Sequence, residues 1–157
     1  GNQQIILATK NGNAVRFEER NVRATGRSAQ GVRGITLKDN DEVIGMVVAS
    51  DEKTLLSVTE NGYGKRTQIA DYRLINRGGS GVINIQCSER NGKVVSICPV
   101  TENDDIIFIS KNGIIIRVPA TDISVIGRNT QGVKIMKLET EDKVVSAVKV
   151  PRENNGK

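Results

Sequence analysis

The sequence predicts an all-β fold made of three repeats of one unit. A glycine-bearing segment occurs at residues 26–32, 76–82 and 127–133, with one arginine at the second position of each copy. The copies are 50 and 51 residues apart, a period typical of repeat architectures. Between them lie short apolar runs rich in Val and Ile, which favour strands, and none has the periodicity of an amphipathic helix. We therefore expect strands throughout the chain.

The first two strands of each repeat are predicted to form a hairpin. The first strands are the apolar runs at 5–8, 55–58 and 106–109. An Asn-Gly pair follows each run, at 11–12, 61–62 and 112–113, and predicts a type I′ turn because both residue types tolerate positive φ. The second strands are at 14–17, 64–69 and 114–118. Alternation along them places Arg16, Arg66 and Arg117 on the face opposite the apolar side chains.

Two further strands complete each repeat. Asn21, Asp71 and Asp122 recur at one offset and predict a polar turn after the second strand. The glycine-bearing loop then leads to third strands at 32–37, 82–87 and 133–138, and the fourth strands are at 43–49, 94–100 and 144–150. Residues 1–157 thus form one repeat domain, with units over 5–50, 55–101 and 106–150 and a polar tail over 151–157.

Four strands per unit is the stoichiometry of a propeller blade. Closed propellers have roughly four to eight blades, so three four-stranded blades predict an open arc or a fragment of a larger ring.

Composition narrows the classes of function. Lys and Arg total 23 against 18 acidic residues, and the net charge of +5 suits a polyanion partner as well as an ordinary basic domain. The chain has no His, and its two cysteines, Cys87 and Cys98, lie in apolar runs, which indicates buried reduced thiols and no metal site. No apolar run approaches the roughly 18 residues of a membrane span. We expect a cytoplasmic protein without catalytic residues, metal, cofactor or small-molecule substrate.

The repeated pattern of Asn-Gly turn, strand arginine, glycine-bearing loop and Gly-Val strand resembles the C-terminal domain of the A subunit of DNA gyrase. It is also similar to the matching domain of topoisomerase IV, and both assignments stay open. The diagnostic box of the gyrase family, Gln-Arg-Arg-Gly-Gly-Lys-Gly, is matched in part at 75–81. Arg77, Gly78, Gly79 and Gly81 agree with it, whereas 25–31 and 126–132 keep one arginine and the final glycine. An intact box would therefore lie in another blade.

The resemblance implies a β-pinwheel, a propeller variant of about six blades that exchange strands with their neighbours. It implies a nucleoid-associated module that wraps double-stranded DNA around a basic rim, together with the remainder of the A subunit of a type IIA topoisomerase and the B subunit of that enzyme. ATP, Mg²⁺ and the DNA-cleaving tyrosine would belong to other parts of that enzyme. Tyr63 and Tyr72 are interpreted as packing residues, because the other repeats carry Asn, Ile or Val there.

The glycine-bearing loops supply the first candidate DNA contacts. Their arginines, Arg27, Arg77 and Arg128, can reach phosphates, and bonding to loop carbonyls is the alternative. Glycines allow backbone N–H groups to approach a phosphate closely. The loop glycines are Gly31, Gly78, Gly79, Gly81 and Gly132.

The strands supply the remaining candidates. For Arg16, Arg66 and Arg117 the alternative to DNA contact is packing or pairing within a blade. Three further cations are Lys65, Arg33 and Lys134, with a solvated surface as the simpler interpretation. A propeller-like scaffold that binds protein through its loops remains the alternative function of the whole chain.

Overall fold

A computed structural model describes residues 3–20, 37–38, 40–75 and 81–152 of the chain. Their strands fall into three sheets, one for each repeat. The strands of repeat 1 are β1 (Gln4–Thr9), β2 (Asn13–Glu18) and β3 (Val43–Val48). Those of repeat 2 are β4 (Thr54–Thr59), β5 (Tyr63–Gln68), β6 (Leu74–Ile75), β7 (Val82–Ile83) and β8 (Val94–Val100). Those of repeat 3 are β9 (Asp104–Ser110), β10 (Ile115–Pro119), β11 (Val133–Lys134) and β12 (Val144–Pro151).

Neighbouring repeats exchange short strands. Sheet 1 has the order β3-β1-β2 and continues with β6 and β7, which belong to repeat 2. Sheet 2 has the order β8-β4-β5-β11, and its last strand belongs to repeat 3. Sheet 3, ordered β12-β9-β10, ends at β10 among the described residues. The predicted all-β, propeller-like open arc is confirmed. Strand exchange connects neighbouring repeats, and we call each such connection a joint.

The two larger apolar clusters lie between the repeats, and a smaller one of Ile5, Val15 and Phe17 lies within repeat 1. Ile6 and Ala14 of repeat 1 pack with Leu55, Tyr72 and other residues of repeat 2 in one buried cluster. A second cluster joins Leu56 of repeat 2 to apolar residues of repeat 3. Removing such side chains from water is the main stabilising term in folding, so each joint is held by burial as well as by exchanged strands.

The hairpin turns differ from the predicted type I′. In each repeat the glycine N–H donates to the carbonyl three residues earlier, as Gly12 does to Thr9 at 3.1 Å. Within each Asn-Gly pair only the glycine has positive φ, since the described residues other than glycine have positive φ only at Asn40 and Glu141. The turn therefore ends on a left-handed glycine, as in three-residue hairpin loops, and the asparagine needs no unusual conformation.

The predicted third strands are wrong in length. They have two residues each, 82–83 and 133–134, and pair with the second strand of the preceding repeat. The residues that follow bond the carbonyl of the glycine in the hairpin turn of that repeat. The counterpart at 32–37 lies almost wholly outside the described residues. The predicted polar turns are 3-10 turns, Ile69–Asp71 and Ala120–Asp122.

The two cysteines are free thiols in partly apolar surroundings. Cys87 and Cys98 are half-buried, and burial raises the pKa of both. In the described part of the chain no group of three or more His, Cys, Asp or Glu side chains is placed to hold a metal ion. The same residues include no helix long and apolar enough to cross a membrane.

Candidate nucleic-acid interface

The strand arginine of repeat 1 lies inside the joint with repeat 2. Arg16 on β2 is 8% exposed, and its Nη1 donates to the carbonyls of Ile69 at 3.1 Å and Tyr72 at 3.3 Å. Its Nε donates to Oε1 of Gln4 at 2.8 Å, and its Nη1 also lies 2.9 Å from a carboxylate oxygen of Asp51. The guanidinium is therefore occupied by the protein itself.

The strand arginine of repeat 2 has the same kind of place in the next joint. Arg66 on β5 is 5% exposed, and its Nε donates to the carbonyl of Ile123 in repeat 3 at 2.8 Å. Burial lowers the pKa of Arg66. The next repeat covers both Arg16 and Arg66.

Arg117 occupies the same position on β10 without a following repeat over it. Its side chain is 40% exposed, and its Nε donates to Asp105 at 2.8 Å. The bond from Arg117 is the main cause that holds the pKa of Asp105 below its usual range, and Arg152 adds a second bond at 3.2 Å. Arg117 is therefore paired within its own repeat.

Lys65 is buried and supports a glycine-bearing loop from below. Its Nζ donates to the carbonyls of Gly127 at 2.7 Å and Arg128 at 2.8 Å, and to Oγ1 of Thr130 at 3.0 Å. Burial, with a smaller contribution from the charge of Arg128, lowers the pKa of Lys65 to about 8. All three N–H donors have partners in the loop, which gives Lys65 a structural role.

Arg128 ties the same loop to repeat 2. Its Nη1 donates to the carbonyl of Ile83 at 2.9 Å and its Nε to that of Asp71 at 3.2 Å. Oγ1 of Thr67 donates to the carbonyl of Ile126 at 2.9 Å. The loop is thus held at several points, and Arg128 is half-buried with part of its guanidinium at the surface.

Of the loop glycines, Gly81 and Gly132 fall among the described residues. Both have positive φ, 83° and 81°, a conformation that disfavours other residues. A Cβ on Gly132 would lie 2.8 Å from the carbonyl oxygen of Gly64, so the exchanged strand also needs glycine for close approach. The predicted site residues that lie outside the described part of the chain are Arg27, Gly31, Arg33, Arg77, Gly78 and Gly79.

Two exposed cations converge on one tyrosine at the joint between repeats 2 and 3. Lys134 on β11 pairs directly with Tyr63 on β5, and its Nζ lies 5.9 Å from the ring centroid. The guanidinium carbon of Arg90 lies 5.4 Å from the same centroid, and its Nε donates to the phenol oxygen at 3.1 Å. This bond is the main cause that lowers the pKa of Tyr63. We call Arg90, Tyr63 and Lys134 the tyrosine cluster.

Lys143 extends the tyrosine cluster along the surface. Its Nζ donates to Oδ1 of Asn61 at 2.7 Å, and Nδ2 of Asn61 donates to the carbonyls of Glu89 and Arg90. A cavity of about 210 Å³ beside it is lined by both signs of charge. Its acidic residues are Glu139, Glu141 and Asp142. An anion is therefore expected to meet the outward cations and not to enter the cavity.

Sequence reasoning missed Arg90 and Lys143. Both lie in polar turns that connect the third and fourth strands, and Lys143 has a counterpart in Lys93 of repeat 2, whereas repeat 1 has Glu42 there. The turn at 88–93 is one residue longer than its counterpart at 38–42, and that insertion is the signal that could have found Arg90.

The sequence is similar to one protein family along nearly its whole length. A family model described as "DNA gyrase C-terminal domain, beta-propeller" matches residues 3–50, 53–100 and 104–151. The A subunit of DNA gyrase from Haloquadratum walsbyi is 47% identical over 154 residues, which are 97% of this chain and 18% of that protein. The same subunit from Staphylococcus epidermidis is 44% identical over 157 residues, or 99% and 18%. The chain thus spans less than a fifth of the length of these relatives.

Solved structures agree with the fold. A DNA gyrase A C-terminal domain superposes with a TM-score of 0.84 at 33% identity, covering 94% of this chain and 50% of that one. The C-terminal domain of DNA topoisomerase IV superposes with a TM-score of 0.82 at 20% identity, over 96% of this chain and 47% of that one. The second likeness shows the fold alone.

Proposed function

This chain belongs to the DNA gyrase C-terminal domain family, and on that premise we propose that it binds and wraps double-stranded DNA without reading the base sequence. The match of all three repeats to that family carries the proposal. The net charge of +5 supports it, because affinity without sequence preference comes from neutralising phosphates and releasing counterions.

We further propose that the chain works as a non-catalytic part of the A subunit of a type IIA topoisomerase. There it would bend a DNA segment and present it to the remainder of that polypeptide and to the B subunit, which would supply cleavage and ATP hydrolysis. Bending a 20–30 bp site costs on the order of 1–6 kcal/mol, so several small contacts must share that cost. The joint between repeats 2 and 3 offers one such cationic patch.

The proposed contacts are cations beside the joint between repeats 2 and 3 that keep donors at the surface. They are Arg128, Lys134, Arg90 and Lys143. Two of them, Lys134 and Arg90, have a tyrosine ring beside them, which holds a cation in place without neutralising it. The cations left out, because they are buried as well as bonded within the protein, are Arg16, Arg66 and Lys65. Those that stay predictions from the sequence are Arg27, Arg33 and Arg77.

Binding to two fluorescent duplexes of unrelated sequence, followed by anisotropy across a salt series, tests the proposal. We expect equal affinities for the two duplexes and a linear fall of log affinity with log salt. An affinity that does not change with salt would overturn it.

A matched pair of double variants locates the contacts. Arg90→Glu with Lys134→Glu should weaken binding by about tenfold or more, since each lost phosphate contact also adds repulsion. The control, Lys53→Glu with Lys149→Glu, makes the same charge change away from the Asn-Gly turns and should weaken binding less. Equal losses would refute the location. Undiminished binding in every variant would favour a protein-interaction scaffold with incidental charge.

A further inference from the structure

Three consecutive side chains of β5 hold the segment that leads into the glycine-bearing loop of repeat 3. They are Lys65, Arg66 and Thr67, and each donates to backbone carbonyls of that segment at 2.7–2.9 Å. Their acceptors are the carbonyls of Ile123, Ile126, Gly127 and Arg128. Arg66 also forms a parallel bridge with Val125, so the segment lies along the edge of β5. Its carbonyls are therefore directed towards repeat 2.

Other donors of repeat 2 bond the later carbonyls of the same loop. The backbone N–H of Gln86 donates to the carbonyl of Thr130 at 2.8 Å, and Nδ2 of Asn91 donates to that of Gln131 at 3.0 Å. The carbonyls of residues 126, 127, 128, 130 and 131 thus all accept hydrogen bonds from repeat 2.

The N–H groups of this loop are placed differently. In a trans peptide the carbonyl of one residue and the N–H of the next point in opposite directions. Carbonyls that face repeat 2 at 126, 127, 128 and 130 therefore turn outward the next N–H groups, those of Gly127, Arg128, Asn129 and Gln131. These four N–H groups have no acceptor among the described residues. Gly127 and Asn129 are exposed, and the other two residues are half-buried.

The charges around the loop favour an anion as its ligand. Between Asp122 and Glu139 the sequence has no acidic residue and three cations, Arg128, Lys134 and Lys137. The charge of Lys65 lies beneath the loop, and because Lys65 is buried its attraction for an anion is screened less than that of an exposed lysine. Outward backbone N–H groups near positive charge form anion sites in many proteins.

We propose that the N–H groups of residues 127–131 bind one phosphate of the DNA backbone, with the guanidinium of Arg128 beside them. This site rests on the proposed binding of DNA, and it adds backbone groups to the cations proposed as contacts. Backbone N–H groups bind phosphates without reading the base sequence, which agrees with binding that has no sequence preference. The bonds from Lys65, Thr67, Gln86 and Asn91 hold the loop in the required form before DNA arrives.

Two-dimensional NMR of the isotope-labelled full chain, titrated with a short DNA duplex, tests this site directly. We expect the amide signals of Arg128, Asn129 and Gln131 to be among those that shift most. Duplex binding that shifts other surface amides and leaves these three unmoved would overturn the site while the proposed DNA binding stands. No shift of any amide at low salt would overturn the DNA binding and the site together.

A matched pair of substitutions at Asn129 separates the backbone donor from the side chain. The N–H of Thr130 donates to the carbonyl of Arg128 at 2.9 Å, which closes a three-residue turn around Asn129, and φ of Asn129 is not positive. Such inverse γ-turns have φ of about −75°, close to the roughly −65° of proline. Asn129→Pro therefore removes the N–H and keeps φ. Asn129→Ala loses the same side-chain hydrogen bond with Gln86 and keeps the N–H.

We expect Asn129→Pro to bind the duplex about fivefold more weakly than Asn129→Ala does, which is the effect of about one net hydrogen bond. The slope of log affinity against log salt should be the same in both variants, because an uncharged donor releases no counterion. Equal affinities would overturn the site. A slope reduced by about 1 in Asn129→Pro would also overturn it, since the loss would then come from a displaced arginine. Circular dichroism and the amide signals outside the loop show that both variants are folded.

Discussion

The second strands of repeats 1 and 3 follow a turn glycine and carry an arginine at equivalent positions, yet the two arginines have very different surroundings. On β2 the following repeat covers the side chain of Arg16 to 9% exposure, whereas on β10 the side chain of Arg117 is 40% exposed. The difference comes from the neighbour and not from the strand. A cation that recurs in every repeat can therefore have a structural role in the joint, and its recurrence alone does not indicate a contact with a binding partner.

The two hairpin glycines Gly62 and Gly113 should give the largest contrast. Both have positive φ, 90° and 93°, so alanine at either place carries the same backbone strain. Only the Gly62→Ala change would bring a methyl group into collision with the carbonyl of Met136. We expect Gly62→Ala to lower the free energy of unfolding by about 3 kcal/mol more than Gly113→Ala does.

Urea denaturation of both variants measures this contrast. Equal losses would mean that the exchanged segment does not constrain Gly62, and that the joint is looser than the hydrogen bonds to its carbonyl indicate.

The matched arginines should give a contrast of intermediate size. Arg16→Met removes the buried donor to the carbonyl of Tyr72, whereas the carbonyl of Ile69 keeps the N–H of Tyr72 as a donor, and the loss should cost about 2 kcal/mol. Arg117→Met removes a partly exposed partner of the buried Asp105, which keeps its bond from Arg152, so the loss should cost about 1 kcal/mol. Thermal or urea unfolding at one protein concentration checks the ranking, and a larger cost for Arg117→Met would reverse the comparison.

A pH dependence of stability is expected at Lys65. Folding lowers the pKa of this lysine from 10.5 to about 8. Between those values the unfolded chain still holds the proton that the folded chain has released, so stability rises with pH there. Lys65→Met lacks this contribution.

The free energy of unfolding of the wild type minus that of Lys65→Met should therefore increase as pH rises from about 8 towards 10.5. A difference that is flat or falls over this range would show that the pKa of Lys65 is not lowered.

Local sequence signals predicted the regular strands well. The first, second and fourth strands match the structure to within a residue or two, because apolar runs bounded by Asn-Gly and polar turns depend on local chemistry. The three-repeat, open, all-β architecture follows from the period of those signals. Strand order within the joints cannot be predicted in this way, because a two-residue strand such as β6 is too short to show an alternation of apolar and polar residues.

The site was harder to predict than the fold, for a physical reason. Lys65 corresponds to Val15 and Ile116 in the other repeats, and these apolar counterparts indicate a buried position. The charge of the lysine favoured a surface interpretation instead. Its partners lie 62 to 65 residues away, in a loop that only the exchange joint brings near. Arg90 likewise is placed by its hydrogen bond to Tyr63, which lies 27 residues earlier in the chain.

The strand arginines Arg16 and Arg66 lie in the joints between repeats, and we propose that the exposed surface cations contact DNA. The most direct test of this division is the salt dependence of DNA affinity for Lys134→Gln and Arg117→Gln. Losing one phosphate contact reduces the slope of log affinity against log salt by about 1. We predict that reduction for Lys134→Gln and an unchanged slope for Arg117→Gln. A reduced slope for Arg117→Gln with an unchanged one for Lys134→Gln would contradict the division.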